Sequence, residues 1–232
     1  MPKFFADNEV CNDYIELVDE AKHIQVLRYK VGDEIIIGDG KGYDYICTIE
    51  KIEKNKVISR INVKNKCLSE PDVSITLFQA LPKSSKMENI ITQNIEMGVK
   101  EIVPIETKFT IAKSKDNKID RWQKIAESSS KQSMRGIIPK IHKTISLKES
   151  LEYNDFDLKI VAYEKEKNLR IIDVLNKNIK KIALYIGSEG GFSLDEIELF
   201  KENNFKIITL GERILRTETA GIACTSVIVN IT

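Results

Sequence analysis

A chain of 232 residues can bury one large core or a medium and a small one, and with 36 Lys plus Arg against 35 Asp plus Glu its net charge of +1 says little about partners. Four cysteines (Cys11, Cys47, Cys67 and Cys224) lack C-x-x-C spacing, and His23 and His142 are too isolated to complete a zinc site, which argues against a disulfide scaffold and a metal centre. No signal peptide and no apolar run of membrane-spanning length is present, so the expectation is a soluble, cytoplasmic, two-domain protein without membrane or metal.

In chain order, residues 1–70 read as a small β-rich unit. Asp19 to Arg28 carries apolar residues at 21, 24 and 27, a short helix, and Glu34 to Gly38 reads as a strand. Asp39-Gly-Lys-Gly42 is a turn signal leading into strand-like runs at Tyr43 to Ile52 and Val57 to Val63. Lys51, Lys54, Lys56, Arg60, Lys64 and Lys66 give this unit a basic end. Its plainer reading is a β-domain that only packs on its neighbour.

Pro71 within Ser69-Glu-Pro-Asp72 marks a linker, and the pattern changes after it. In residues 73–232, apolar runs at Val73 to Ala80, Glu101 to Ile105, Leu158 to Tyr163, Ile182 to Gly187 and Lys206 to Leu210 have the length of buried parallel strands. Helical patterns alternate with them. Ser85-x-x-Glu88 caps one that carries Met87, Ile90, Ile91 and Ile95 and ends at Gly98. A second starts near Asp120 with Trp122, Ile125, Ala126 and Ser129, and the last has a stripe at 220, 223, 224, 227, 228 and 231. This alternation predicts an α/β domain with a parallel sheet.

Charge is least even over 108–148, where eleven basic residues (Lys108, Lys113, Lys115, Lys118, Arg121, Lys124, Lys131, Arg135, Lys140, Lys143, Lys148) face three acidic ones, Asp116, Asp120 and Glu127. A local excess of eight fits an electrostatic footprint for a phosphate backbone, the plainer reading being a solvated lysine face.

Two loops carry the chemistry. Tyr185-Ile-Gly-Ser-Glu-Gly-Gly-Phe192 and Leu210-Gly-Glu-Arg-Ile-Leu-Arg-Thr-Glu-Thr-Ala220 each begin where a strand-like run ends and lead into a helical segment. Glycine lets a ligand approach the main chain where Cβ atoms would block it. Neither loop fits the Rossmann or P-loop spacing, and Ser193-x-x-Glu196 caps the helix after the first, setting a partially positive helix end beside it.

Together these two stretches resemble the ribosomal RNA small subunit methyltransferase E family of the SPOUT superfamily. Lys86-Met87-Glu88 with Glu96-Met97-Gly98-Val99, Gln132-Ser133-x-Arg135 with Pro139, and His23-x-x-x-Leu27-Arg28-x-x-x-Gly32-Asp33 resemble the family's further motifs, in the same order and over nearly the whole chain. Four positions depart from it: Ser188 in place of the usual Pro, Phe109 in place of Arg, Gln93 where Lys is common and Lys3 where Arg is common. The resemblance implies a SPOUT-type knotted, parallel-sheet α/β methyltransferase domain over 73–232. It also implies a PUA-like or OB-like β-barrel over 1–70 and a homodimer. The implied cofactor is S-adenosylmethionine, enclosed by the loops at 162–164, 185–191 and 210–215, with Ala162, Tyr163, Ile186, Gly187, Glu189, Gly190, Gly191, Leu210, Gly211, Ile214 and Leu215 as binding residues. The implied reaction is methylation of a uridine N3 in 16S ribosomal RNA of the small subunit. RNA contacts fall to Lys54, Lys56, Lys86, Gln132 and Arg135.

Uridine N3 is a weak acid on the Watson–Crick edge, so it must be unpaired and must lose a proton. Arg216 is the expected group that binds the uracil oxygens and stabilises the negative charge. Glu218 is a candidate base or an orienting partner for Arg216, although it and Glu189 sit where a helix end lowers basicity. A plainer role for Arg216 is an ion pair with Glu218 or Glu212. Two rivals remain: a non-catalytic RNA-binding protein of the same fold, which has no use for two glycine loops, and a nucleotide-dependent enzyme, whose lysine and acidic metal ligands are missing here.

Overall fold

The computed structural model describes residues 2–10, 13–83, 86–111 and 118–232. Cys11, the helix cap expected at Ser85, and Lys113, Lys115 and Asp116 of the basic segment lie outside the described residues. The chain divides into two compact units, Met1–Glu70 with Ser130–Ile138, and Pro71–Ser129 with Pro139–Thr232.

The first unit is a five-stranded sheet in the order β1-β3-β4-β5-β2, from β1 (Lys3–Phe5), β2 (Tyr14–Leu17), β3 (Glu34–Gly38), β4 (Tyr43–Ile52) and β5 (Val57–Lys66), with α1 (Ala21–Val26) between β2 and β3. Asp39 makes the β3–β4 turn, its Oδ1 accepting from the Lys41 and Tyr43 amides at 2.8 and 3.0 Å, while Gly40 and Gly42 take positive φ. Phe4, Ile15, Leu17, Ala21, Ile24, Ile35, Ile37, Tyr45, Cys47, Ile49 and Val57 fill its core. β1 and β2, at three and four residues, are too short for a periodic signal, yet both edge strands feed that core.

The linker expected at Ser69–Asp72 coincides with the boundary at Glu70, but the chain later returns to the first unit at 130–138. Glu70 holds that return. Its carboxylate accepts from Arg135 Nη2 at 2.7 Å and Nε at 3.2 Å, and from the amides of Gly136 and Ile137 at 2.8 and 3.0 Å. Gly136 is obligatory there, since a Cβ would lie 2.4 Å from Cys67 Cβ.

The second unit is a seven-stranded, wholly parallel sheet. Its order is β12-β10-β11-β6-β7-β8, with β9 (Ile145–Ser146) also on β7. Here β6 is Ser74–Ala80, β7 Glu101–Glu106, β8 Lys140–Ile141, β10 Leu158–Ala162, β11 Lys181–Ile186 and β12 Lys206–Ile208. Strand parity splits the side chains into two layers. Ile75, Leu77, Ile102, Ile160, Ile182, Leu184, Ile186 and Ile208 pack with α2 (Lys86–Glu96), α3 (Ile119–Gln132) and α6 (Thr217–Ile231). Phe78, Val103, Val161, Ala183, Tyr185 and Ile207 pack on the other face with α5 (Leu194–Glu202) and α4 (Leu147–Ser150). In that layer Tyr185 stacks on Phe78 at 4.3 Å and donates its hydroxyl to the Ser150 carbonyl at 2.9 Å.

The last helix buries part of the stripe its apolar residues predict and shifts the rest: Cys224 and Ile228 are buried with Ala220 and Val227 packed beside them, Thr217, Gly221 and Thr225 also face inward, and Ala223 and Ile231 stay half-buried. The cause is Asn94 on α2, which is fully buried and needs partners. Thr225 Oγ1 donates to Asn94 Oδ1 at 3.1 Å, and a Cβ on Gly221 would lie 3.2 Å from the Asn94 amide. Small and hydroxyl-bearing residues therefore take the seam between α2 and α6. Among the described residues no helix is long and apolar enough to cross a membrane.

Candidate active site

Parallel strands leave their connections at one edge, and a ligand crevice forms outside the carboxyl ends where neighbouring connections diverge. Here β10, β11 and β12 are neighbours, and the residues following them bound a cavity of about 560 Å³ within the second unit. Ala162, Tyr163 and Glu164 line it from β10, Ile186 to Glu189 and Gly191 from β11, and Thr209 to Gly211 and Arg213 to Arg216 from β12. Thr217 and Ala220 of α6 and Lys86 of α2 close it.

The sequence-predicted residues Ala162, Tyr163, Ile186, Gly187, Glu189, Gly191, Leu210, Gly211, Ile214 and Leu215 are thus brought together around one space, with Arg216 at its wall. Gly190 is placed elsewhere. A side chain there would meet Phe109 Cβ at 2.8 Å, so its bareness serves the outer side of the loop rather than this cavity. Gly191, at φ +66°, closes the turn by donating its amide to the Ser188 carbonyl at 3.0 Å.

The glycine loop is tied to the last helix. Thr217 Oγ1 donates to the Gly187 carbonyl at 2.5 Å, and the buried Gln79 amide donates to Thr217 Oγ1 at 3.0 Å and to the Ala80 carbonyl at 2.9 Å. Sequence reasoning passed over Gln79, a lone polar residue in an apolar strand, which is itself a signal that something must satisfy it.

Lys86 organises the charge. Its ammonium lies 3.0 Å from Glu189 Oε1 and 3.7 Å from Glu218 Oε2. Glu189 also accepts from the Lys83 amide at 3.2 Å. Burial pushes the Glu189 carboxyl upward, but Lys86 and the amides outweigh it and hold the group below the usual carboxylate range. Among the described residues Arg216 has no carboxylate partner: Glu218 faces Lys86, and Glu212 faces Lys167 at 3.4 Å. The ion pair entertained for Arg216 is not formed.

Of the expected RNA contacts, Lys86 is therefore a cavity residue, and Arg135 is 2% exposed with its guanidinium paired to Glu70. Gln132 and Lys54 are exposed, and Lys56 pairs with Glu16 at 3.5 Å. Within the basic segment Lys108 pairs with Asp195, Arg121 with Glu88 and Lys131 with Glu20, whereas Lys118, Lys124, Lys140, Lys143 and Lys148 are exposed. Lys3, one of the departures, is buried against Asp44 at 2.5 Å.

A ligand for this cavity must offer an apolar body and a few polar groups. Ser188 Oγ is buried without a hydrogen-bond partner among the described residues, and a Cβ on Gly211 would meet nothing within 4 Å. Ala162, Ile186, Leu210, Ile214, Leu215 and Ala220 supply the apolar wall. An adenosine-sized molecule with hydrogen-bonding edges matches that volume and lining.

Comparison with known proteins agrees with this geometry. A model described as RNA methyltransferase domain matches residues 69–229, and one described as RNA methyltransferase PUA domain matches 18–62. A ribosomal RNA small subunit methyltransferase E from Buchnera aphidicola is 35% identical, with 96% of this chain and 90% of the relative covered. The chain belongs to the ribosomal RNA small subunit methyltransferase E family. A second member, from Mesomycoplasma hyopneumoniae, is 33% identical with 96% of both chains covered. The crystal structure of the Neisseria gonorrhoeae member bound to S-adenosyl methionine superposes with a TM-score of 0.89 at 27% identity, covering 98% of this chain and 96% of that one. The expectation of a parallel-sheet methyltransferase domain behind a PUA-type module is met.

Proposed function

We propose that this protein transfers a methyl group from S-adenosylmethionine to N3 of a uridine in 16S ribosomal RNA. The observation that carries this reading is the cavity after β10, β11 and β12, where ten residues singled out as cofactor contacts converge beside Arg216, which has no carboxylate partner among the described residues. Ala162, Tyr163, Ile186, Gly187, Leu210, Gly211, Ile214 and Leu215 would hold the cofactor, with Ser188 Oγ available to its polar groups. When bound, the cofactor supplies an electrophilic methyl group on a sulfonium.

The chain's own residues must then hold the uracil and answer its charge. Arg216 presents a planar fork of donors suited to two carbonyl oxygens, and stabilises the ring as N3 ionises. Glu218 and Glu189 both face the Lys86 ammonium, which makes them partners that position that cation rather than free carboxylates aimed at a substrate. We therefore assign charge stabilisation by Arg216, with the N3 proton passing to solvent water rather than to a dedicated protein base. The PUA-type module and exposed lysines of the basic segment hold RNA on this reading, in a cytoplasmic twofold dimer that covers half-buried Ile222, Ala223 and Ile231 of α6.

The test is incubation with labelled S-adenosylmethionine and unmodified small ribosomal subunits, then mapping of the label by mass spectrometry of nuclease fragments. Label at uridine N3 is expected; label at a carbon or a ribose hydroxyl overturns the assignment.

A further inference from the structure

A second concavity, of about 500 Å³, lies on the outer side of the glycine loop, lined by Lys83, Lys108, Phe109, Ile111, Glu189 and Gly190. Phe109 is 44% and Ile111 72% exposed, and neither belongs to a core cluster. Phe109 sits where it does because residue 190 has no Cβ to displace it. Glu189 borders both concavities, so a group in the second would neighbour whatever enters the first. The Glu189 charge is already answered by Lys86. Lys108 is tied to Asp195, while the exposed Lys83 ammonium has no carboxylate partner among the described residues.

We propose that this groove is a stacking subsite for an unpaired nucleobase of the RNA, next to the nucleotide that is methylated, with Phe109 as a positioning residue and Lys83 facing the adjoining phosphate. The inference rests on the function proposed above. A uridine whose N3 is to react must leave its pair and its stack, which strips its neighbour of a stacking partner. An exposed aromatic ring beside the reacting site returns that stacking, and it does so for any base because every base has a π-face. A cation beside the ring suits the phosphate that every nucleotide brings, and an apolar peptide would have no use for it.

The full-length chain and its Phe109→Ala, Phe109→Leu and Phe109→Trp variants are titrated with unmodified small-subunit ribosomal RNA transcribed in vitro, across a salt series, with S-adenosylmethionine affinity measured in parallel. Phe109→Ala should lose roughly 5- to 100-fold in RNA affinity, the equivalent of one base stack. Phe109→Leu, which keeps apolar bulk without a π-face, should lose nearly as much, and Phe109→Trp should retain affinity with its new indole emission quenched by RNA. The salt slope and the cofactor affinity should stay at wild-type values. Wild-type RNA affinity in Phe109→Leu overturns the proposal, as does a Phe109→Ala variant that loses cofactor and RNA equally, since the ring would then only brace the loop. These failures are separable from failure of the function itself, which shows as a wild-type chain that transfers no methyl group to RNA.

Discussion

Arg216 is an exposed arginine on the wall of the cavity, with neighbouring carboxylates that face other cations. Arg216→Ala should lower the rate of methyl transfer by on the order of 10²-fold while leaving cofactor affinity nearly unchanged, because its interaction strengthens as the uracil becomes anionic. Single-turnover kinetics beside calorimetry separates the two; equal losses in both would make Arg216 a binding residue. Arg135 is the opposite case. Glu70→Ala removes the carboxylate that pairs with the buried Arg135 guanidinium and accepts from two amides, and should destabilise the protein by about 3–5 kcal/mol in urea unfolding. Burial raises the Glu70 carboxyl, but Arg135 and the amides of Ile137 and Gly136 overcome this and set it below its ordinary value of 4.5. A carboxyl depressed by folding contributes stability above its unfolded value and loses it as pH falls toward the folded one. Stability should therefore decline on acidification below about pH 4.5, and Glu70→Gln should show less of that decline. From the sequence, Arg135 was expected to contact RNA because a family motif coincides with the basic segment there, and neither motif nor charge names a partner within the fold. Glu70 lies 65 positions away in the chain.

At the scale of elements, the link between the glycine loop and α6 depends on one hydroxyl. Thr217→Val keeps the shape and the β-branch but removes the group that joins Gln79 to the Gly187 carbonyl. It should cost about 1–3 kcal/mol in stability, and cofactor affinity should fall with it. Cofactor affinity at wild-type level in this variant would show that the loop is positioned by its own turn. The strands β6, β7, β10, β11 and the three-residue β12 were legible because each lies in a run of apolar residues bounded by turn chemistry, and the two loops because their glycines come directly after such runs. The inward face of α6 was legible only in part: Cys224 and Ile228 are buried as their place in the stripe predicts, but hydropathy ranks Val227 above Thr225, and buried Asn94 selects the threonine. β8 and β9 have two residues each, and no pattern has two members.

Across the whole molecule the near-neutral charge conceals an uneven surface, and pairing decides which lysines reach a partner. Lys140→Ala with Lys143→Ala, both exposed, should lower the slope of log RNA affinity against log salt by roughly 1 to 2 in magnitude, without altering cofactor affinity. Lys131→Ala, which breaks a pair with partly buried Glu20, should act on stability instead. An intact salt slope in the double variant would mark these lysines as solvated surface.

The return of residues 130–138 to the first unit also sets an order of events during synthesis. An N-terminal unit ordinarily folds as it leaves the ribosome, ahead of the segments synthesised after it. This one cannot finish: when Glu70 emerges, the arginine and the two amides that satisfy its carboxylate have not been made. At about 5–20 residues per second the wait is several seconds, during which β6, α2, β7 and α3 emerge first. A nascent chain stalled just after residue 70 should therefore be cleaved readily by protease, and one stalled well beyond residue 138 should resist.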